Sequence, residues 1–420
     1  MKVVQIAERG AFFGEEHGSR NMRIGIYKDT LANRRGADMA VLALAEGLCE
    51  RGHDAAVFEK PDLERCVAEP WDVVISTGTN ELLDLHDFFA HPHTPTPPLT
   101  HSSTPPLTHF PWPVIQQFHT NPRSQFKWKR FVRNWKIRCA LKRVSAIQVL
   151  SEEFVPQVEK YGVPVHVIGN WSRFGEMKKD GAMGEKLVGD ISSSSRMDGL
   201  FHSPTPTQYS NSLTPTIIYP AAFAKGKNQK LLIRAFAKVA EELSDWRLRL
   251  IGRAEGRYAE ECRKLAAKLG ETGFIMSTTP ATNCGHPKIE FAGYCENMTA
   301  EYERCAFVAF PSLDEGFPLT IADAAAFAKP CVMVKDWIGT AGRGEQSAEG
   351  GVVTKPTVGA YSEGLRRLMA DAELRRRMGE RAREFCAEYY SRKRILDQWE
   401  RMLSETVSRR FVGAPMPAGL

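Results

Sequence analysis

The sequence predicts an α/β protein made of two doubly wound domains with a cleft between them. Three features carry that expectation. Short apolar strands alternate with amphipathic helices through the first half, and the same alternation restarts after a Ser/Pro-rich interruption. Glycine turns also follow strands in both halves, at carboxyl ends where open α/β sheets bind ligands.

In the first half, Met22-Arg23-Ile24-Gly25-Ile26-Tyr27 alternates into a buried strand, followed by Arg34-Arg35-Gly36-Ala37-Asp38. Residues 39–51 place apolar side chains at helical spacing, Gly52-His53-Asp54 closes that helix, and 55–58 is the next strand. This βαβ unit sets a glycine turn at the end of its first strand. Residues 72–76, 113–119, 146–150 and 165–168 read as further strands. The second half opens with Thr216–Pro220, an amphipathic helix over 231–243 and a strand at 246–252. Residues 289–293, 308–310 and 331–334 continue the sheet, and helical patterns at 360–370, 372–390 and 392–410 close it.

A chain of 420 residues with 25% charged side chains is globular and long enough for two or three cores. No apolar run is long enough to span a bilayer, and the first twenty residues lack the hydrophobic stretch of a secretory signal. Nine cysteines lie scattered, with no Cys-x-x-Cys pair and no His/Cys cluster at metal-ligand spacing, as expected of a reduced cytoplasmic protein. Thr-Pro-Pro-Leu-Thr-His occurs at 96–101 and again at 104–109, inside a low-complexity stretch at 91–113. Residues 181–215 are rich in Ser, Pro, Thr and Gly, so both stretches are expected to be mobile insertions. The expected division is an extension at 1–21, a first domain at 22–180, the insertion 181–215, a second domain at 216–390 and a helix at 391–411.

The segment that says most about function is Glu315-Gly316-Phe317-Pro318-Leu319-Thr320-Ile321-Ala322-Asp323. An apolar run, 307–311, leads into it, and an Ala-rich helical stretch follows, ending before Pro330. A chain that breaks at Gly316 and starts a helix near Pro318 aims free backbone N–H groups at one spot, which suits phosphate. Glu315 stands just before that spot, and Asp323 lies about 7 Å along the helix axis. That separation fits a nucleotide sugar, with the sugar at Glu315, phosphates on the helix start and ribose hydroxyls at Asp323. The competing account is a helix cap followed by a solvated acid.

Together these pieces resemble the retaining glycosyltransferases of family 4, over about 22–405 apart from the two insertions. The resemblance rests on the second half: the Lys-bearing loop, the Gly252 turn, the acidic motif and Met378-Gly379-Glu380-Arg381-Ala382-Arg383. It implies the GT-B fold: two Rossmann-like domains facing across a cleft, with a C-terminal helix returning to the N-terminal domain. The first domain would then serve the acceptor and the second the nucleotide sugar. The family motif is Glu, seven residues, Glu; here the second acid is the shorter Asp323. In the loop 219–228, Lys227 takes the place of the family Lys that grips the donor diphosphate, while Ala222 stands where the family has Arg. Lys225 is the neighbouring cation able to share that load. Gly36 matches the family's glycine turn, although Ala37 replaces its second glycine. His119 matches the histidine that contacts the transferred sugar, and Arg253, after Gly252, is placed to reach a phosphate or base.

The resemblance implies sugar transfer from a nucleoside diphosphate to a hydroxyl of a glycan or lipid-linked acceptor with anomeric configuration kept. Lys227, Lys225 and the helix start formed by Gly316, Phe317, Pro318 and Leu319 would hold the departing diphosphate, with Glu315 supporting an oxocarbenium-like sugar. No Asp-x-Asp pair occurs nearby, so neither a metal nor another cofactor is expected. Residues 123–143 hold nine Lys/Arg and no acid, interleaved with Phe126, Trp128, Phe131, Trp135 and Ile137. Such a basic aromatic helix suits an anionic membrane surface, and hence a protein peripheral on its cytoplasmic face. Nucleic acid would fit the charge, but no nucleic-acid-binding fold signal accompanies it. Two other readings stay open: a nucleotide-sugar epimerase, and a degenerate binding protein that keeps the fold without turnover.

Overall fold

The computed structural model describes residues 21–31, 36–90, 110–126, 131–174, 214–271, 288–340 and 350–412. The expected extension before residue 21, the paired hexapeptide, and the insertion over 181–213 lie outside the described residues. The chain divides into two compact units. Unit 1 takes the described residues up to Asn170, then Glu315–Phe317 and those from Arg392 on; unit 2 takes Trp171–Asp314 and Pro318–Ser391.

Unit 1 is built on six parallel strands: β1 (Arg23–Tyr27), β2 (Asp54–Phe58), β3 (Val73–Ser76), β4 (Val114–Gln117), β5 (Ala146–Val149) and β6 (Val165–Val167). Their order is β2-β1-β3-β4-β5-β6, so the strand order reverses between β1 and β3. The strands β3, β4 and β5 are buried throughout, as expected where helices cover both faces of a parallel sheet. The first helix is Gly36–Glu50 rather than 39–51; Gly36 itself heads it. The expected continuous helix over 123–143 is a short 3₁₀ turn, Pro122–Gln125, and a helix, Phe131–Leu141. Residues 127–130 between them lie outside the described residues. Pro122 explains the first break: its fixed φ and missing N–H suit the opening of a tight turn.

The helix Arg392–Val412 completes unit 1, as the resemblance implies. Its Ile395, Leu396, Trp399, Met402 and Leu403 are buried, each contributing about 1.5–3 kcal/mol of burial. A Cβ on Gly47 would stand 2.8 Å from the Leu396 side chain, so the first helix accepts this one through a glycine notch. Around that contact, the Arg51 guanidinium donates to Asp397 at 2.7 Å and also pairs with Glu400, while His53 Nε2 lies 3.2 Å from Glu400.

Unit 2 has its own six parallel strands: β7 (Thr216–Pro220), β8 (Arg247–Ile251), β9 (Ile289–Gly293), β10 (Phe307–Phe310), β11 (Cys331–Met333) and β12 (Gly351–Val353). The order is β12-β11-β10-β7-β8-β9, which reverses between β7 and β10. The strand β12 escaped the sequence reading, because three residues of Gly-Val-Val carry no period. The helix Gln229–Ala240 buries Leu231, Leu232, Ile233, Ala235 and Phe236 and packs on the helix Val358–Ala370. There Ser362 Oγ donates to the Ala235 carbonyl at 3.1 Å.

The helix Ala372–Tyr389 presses Gly379 against the turn that ends the helix Leu319–Ala326. A Cβ there would stand 1.8 Å from the Ala328 carbonyl oxygen, and Ala328 already sits at φ +51°. Gly379→Ala is therefore expected to lower unfolding stability by about 1–3 kcal/mol, through overpacking against backbone that cannot yield. Urea denaturation reads this directly, and an unchanged midpoint would contradict the contact.

Candidate functional site

In unit 2, five chain segments meet at the carboxyl ends of β7, β8 and β10, where the strand order reverses and adjoining helices leave in opposite directions. The turns after β7 and β8 touch backbone to backbone. Gly252 takes φ +148°, and a Cβ on it would lie 2.3 Å from the Ala221 carbonyl oxygen, so only glycine fits. The loop after β7 tightens into a 3₁₀ turn, Lys225–Lys227, which ends on Asn228 at φ 55°. Its backbone is held from three sides. Tyr219 Oη donates to the Lys227 carbonyl at 2.8 Å, and Gly226 O accepts from Leu313 N at 2.8 Å and Ser312 Oγ at 3.3 Å. Lys225 is exposed and Lys227 half-buried, and the exposed Ala222 offers no cation beside them.

The helix Leu319–Ala326 opens at Pro318 with no side-chain cap. Its Ile321 and Ala322 amides turn back to the Pro318 carbonyl, so the Leu319 and Thr320 amides precede any acceptor inside the helix. Thr320 Oγ1 donates to Pro220 O at 3.1 Å, fixing this helix start beside the end of β7. The Lys225–Lys227 turn and the uncapped helix start thus flank the same β7–β10 crevice. Arg253 lies over the Tyr294 ring at 5.6 Å, and Tyr294 is more than half exposed after β9.

Asp323, where the sequence reading sets the ribose hydroxyls, lies inside the helix Leu319–Ala326. Its side chain is fully buried, and its carboxylate accepts from Ser172 and Arg173, 150 residues earlier in the chain. No local sequence signal marks that partnership.

In unit 1, Glu315 is half-buried, and Gly316 approaches β4's end so closely that a Cβ would stand 2.4 Å from the His119 carbonyl oxygen. Both His119 ring nitrogens are buried and have no hydrogen-bond partner among the described residues. Burial, with a smaller push from the Lys28 charge, drives the His119 pKa down to about 3, so the ring is neutral at pH 7. Gly36 is exposed at the head of its helix.

The sequence reading missed a charged cluster at the β1/β3 reversal of unit 1. Lys28 Nζ donates to Asp29 at 2.6 Å and Glu81 at 3.0 Å, and lies 4.0 Å from Asp38, while Thr77 Oγ1 donates to Tyr27 O at 2.9 Å. Burial alone would lower the Lys28 pKa, but Asp29 and Glu81 outweigh it and hold the ammonium above its usual value. Lys28 and Asp29 follow β1, while Asp38 and Glu81 lie in the first turns of the helices Gly36–Glu50 and Thr79–Ala90, and only the sheet brings them together. Among the described residues, no three His, Cys, Asp or Glu side chains are placed to hold a metal ion.

Comparison with known proteins finds similarity in both sequence and fold. Residues 208–385 match the family model of glycosyl transferases group 1. The fold is GT-B: Anabaena HepE, solved in complex with UDP and glucose, superposes with TM-score 0.64 at 15% identity, covering 92% of this chain and 100% of that one. An exopolysaccharide phosphotransferase of Streptomyces coelicolor is 32% identical over 196 residues, 46% of this chain and 19% of that protein. An uncharacterized glycosyltransferase of Haemophilus influenzae is 25% identical over 172 residues, 41% of this chain and 44% of that protein. The chain therefore spans less than half the length of each of these curated relatives.

The neutral, buried His119 has a consequence for stability. The unfolded chain takes up a proton near pH 6.5 whereas the folded chain does so only near 3, so His119 favours folding above pH 6.5 and loses that contribution as pH falls toward 3. Between pH 7.5 and 5.5 the wild type should lose about 1 kcal/mol that His119→Asn keeps. Chemical denaturation of both at the two pH values tests this, and parallel curves would refute it.

Proposed function

We propose that the chain is a retaining glycosyltransferase of the family 4 kind, moving a sugar from a nucleoside diphosphate to a hydroxyl of a glycan or lipid-linked acceptor. The observation that carries the reading is the crevice between β7 and β10, flanked by the Lys225–Lys227 turn and an uncapped helix start. The hydrogen bonds from Ser312 and Leu313 to Gly226 tie that turn to the chain just ahead of Glu315. Cations and helix amides at one place suit a diphosphate whose negative charge grows as the glycosidic bond breaks. The matched family and the UDP-bound HepE make a nucleotide sugar, with UDP-glucose among the first to try, the natural donor class.

In this reading Lys227, aided by Lys225 and the amides after Glu315, takes the departing diphosphate. The carboxylate of Glu315 supports the oxocarbenium-like ring electrostatically. Neutral His119 has a free N–H and a free lone pair, one of which can serve a sugar hydroxyl. Arg253 and Tyr294 offer a cation and an aromatic face to the base. The reaction calls for no metal, since lysines and helix amides carry the diphosphate charge.

One relative's name points to a second chemistry, transfer of a sugar phosphate rather than a sugar. Product analysis separates the two, because only the second leaves phosphorus in the new linkage. The missing cation at Ala222 likewise favours a binding protein without turnover, which tight donor binding with no product would support.

Membrane contact is proposed for the helix Phe131–Leu141. Phe131, Val132 and Trp135 are 74%, 72% and 65% exposed on one side of it, an unusual apolar display for a surface helix. Several nearby cations are engaged within the unit: Arg133 reaches Asn80 at 2.6 Å, Lys136 reaches Asp87 at 3.1 Å and Arg143 lies 3.1 Å from His86. The apolar trio thus supplies the insertion, with the basic residues of 123–143 biasing it toward anionic lipid on the cytoplasmic face. Among the described residues no helix is long and apolar enough to cross a membrane.

Nucleotide sugars should raise the melting temperature, and the best of them should be consumed with a membrane-derived or glycan acceptor. Glu315→Ala should cut transfer by about a hundredfold or more while leaving the fold intact, and Lys227→Ala should weaken diphosphate binding by about tenfold or more. Near-normal turnover in the first variant, or unchanged affinity in the second, would remove that residue from the mechanism. For the membrane reading, the double variant Phe131→Ser, Trp135→Ser should bind phosphatidylglycerol vesicles at least about tenfold less well than wild type. Equal flotation of the two proteins would contradict it.

A further inference from the structure

The Asp323 carboxylate, on the helix whose start flanks the crevice, is fully occupied by donors of this chain. Oδ1 accepts from Ser172 Oγ and from the Arg173 amide, both at 3.1 Å. Oδ2 accepts from Arg173 Nε at 2.9 Å and Nη2 at 2.5 Å. An ionised carboxylate has about four lone-pair sites, and four donors of this chain fill them. The side chain has no exposed surface, so no face of it is open to solvent or to a ligand.

The segment that supplies those donors is itself locked in place. Phe174 packs edge-on against Tyr302 and Phe327, with ring centroids 5.6 and 5.0 Å away, and Tyr302 stacks on Phe327. Its amide donates to Ser172 Oγ at 3.1 Å, and the Arg173 guanidinium lies 5.4 Å over its ring. The Asp323 charge, acting against burial, holds Arg173 above the usual arginine range, so the guanidinium stays charged. A ribose hydroxyl reaching Asp323 would have to displace one of these donors, and breaking a buried ion pair costs more than one hydroxyl hydrogen bond returns.

We propose that Asp323 anchors the chain where it enters unit 2 and takes no part in ribose recognition, so that this site separates ribonucleotides from deoxyribonucleotides poorly. The inference rests on the reading of unit 2 as a nucleoside-diphosphate site. A site that hydrogen-bonds a hydroxyl through a buried polar group rejects the analogue lacking it, because that group is left unpaired; a carboxylate already saturated by the protein applies no such penalty. Arg173 then acts as a positioning residue, keeping the carboxylate occupied.

The test measures binding of UDP, ADP and GDP to the full chain by calorimetry, each beside its 2′,3′-dideoxy counterpart. The best-binding diphosphate and its dideoxy form should agree within about threefold. In Arg173→Leu, which empties two of the four positions on the carboxylate, preference for the ribose form should rise to about tenfold or more, a change that mere loosening of the fold would not produce. A tenfold or larger ribose preference in the wild type overturns the inference, and this arm stands even if the variant does not fold. Failure of all three diphosphates to bind overturns the nucleotide reading of unit 2, and the inference with it.

Discussion

The pairing of β7 with β10, through Phe307↔Ile217 and Val308↔Ile218, is the constraint on which the unit 2 site depends. Consecutive strands in a parallel sheet are joined by right-handed crossovers, so their helices pack side by side and close the sheet's end. Where the first and fourth strands become neighbours, the following segments leave in opposite directions and a crevice opens. In unit 2 that crevice is flanked by the lysine turn and the uncapped helix. Thr320 bonded to Pro220, and Gly226 to Leu313, hold its two sides in register. Gly252 allows the third turn to approach without a side chain in the way.

Charge is distributed unevenly between the two reversal points. In unit 1 the lysine at the end of β1 is matched by Asp29 and Glu81, with Asp38 close by, leaving that corner acidic. In unit 2 the turn after β7 brings two lysines, and the buried acid of the helix Leu319–Ala326, Asp323, is paired with Arg173. The lysine turn therefore offers positive charge to an incoming anion at the unit 2 crevice. A nucleotide sugar places its charge on the diphosphate and its hydroxyls on the sugar, which suits this division.

Much of the fold was legible because apolar residues mark the strands, as near-continuous runs in Val73–Ser76 and Phe307–Phe310 and by alternation in Arg23–Tyr27 and Arg247–Ile251; eleven of the twelve strands among the described residues were found that way. The exception, Gly351–Val353, is too short to carry a period and forms as an edge strand only because β11 offers its ladder. Motif spacing likewise located the lysine turn and the helix start, since both are local in sequence. What stayed hidden was long-range. Neither Arg173 nor its neighbour Ser172 is marked by any pattern, and their partner lies 150 residues away. The cluster of Lys28, Asp38 and Glu81 is scattered over three segments that only the sheet unites. The helix over 123–143 was overextended because charge and aromatic spacing run on past the 3₁₀ turn Pro122–Gln125, which ends on an extended Phe126.

The helix Arg392–Val412 has a consequence for how the chain is made. Its Trp399, Leu396 and Leu403 complete the core of unit 1, yet in chain order they follow every described residue of unit 2. On the ribosome, the amino-terminal sheet emerges with that part of its hydrophobic surface uncovered and waits through the synthesis of the whole intervening unit before the covering helix arrives. Unit 2, by contrast, has its final helix in hand by Tyr389 and can mature first. The order of synthesis and the order of completion are thus reversed, and the amino-terminal half is the part that needs protection from aggregation during translation.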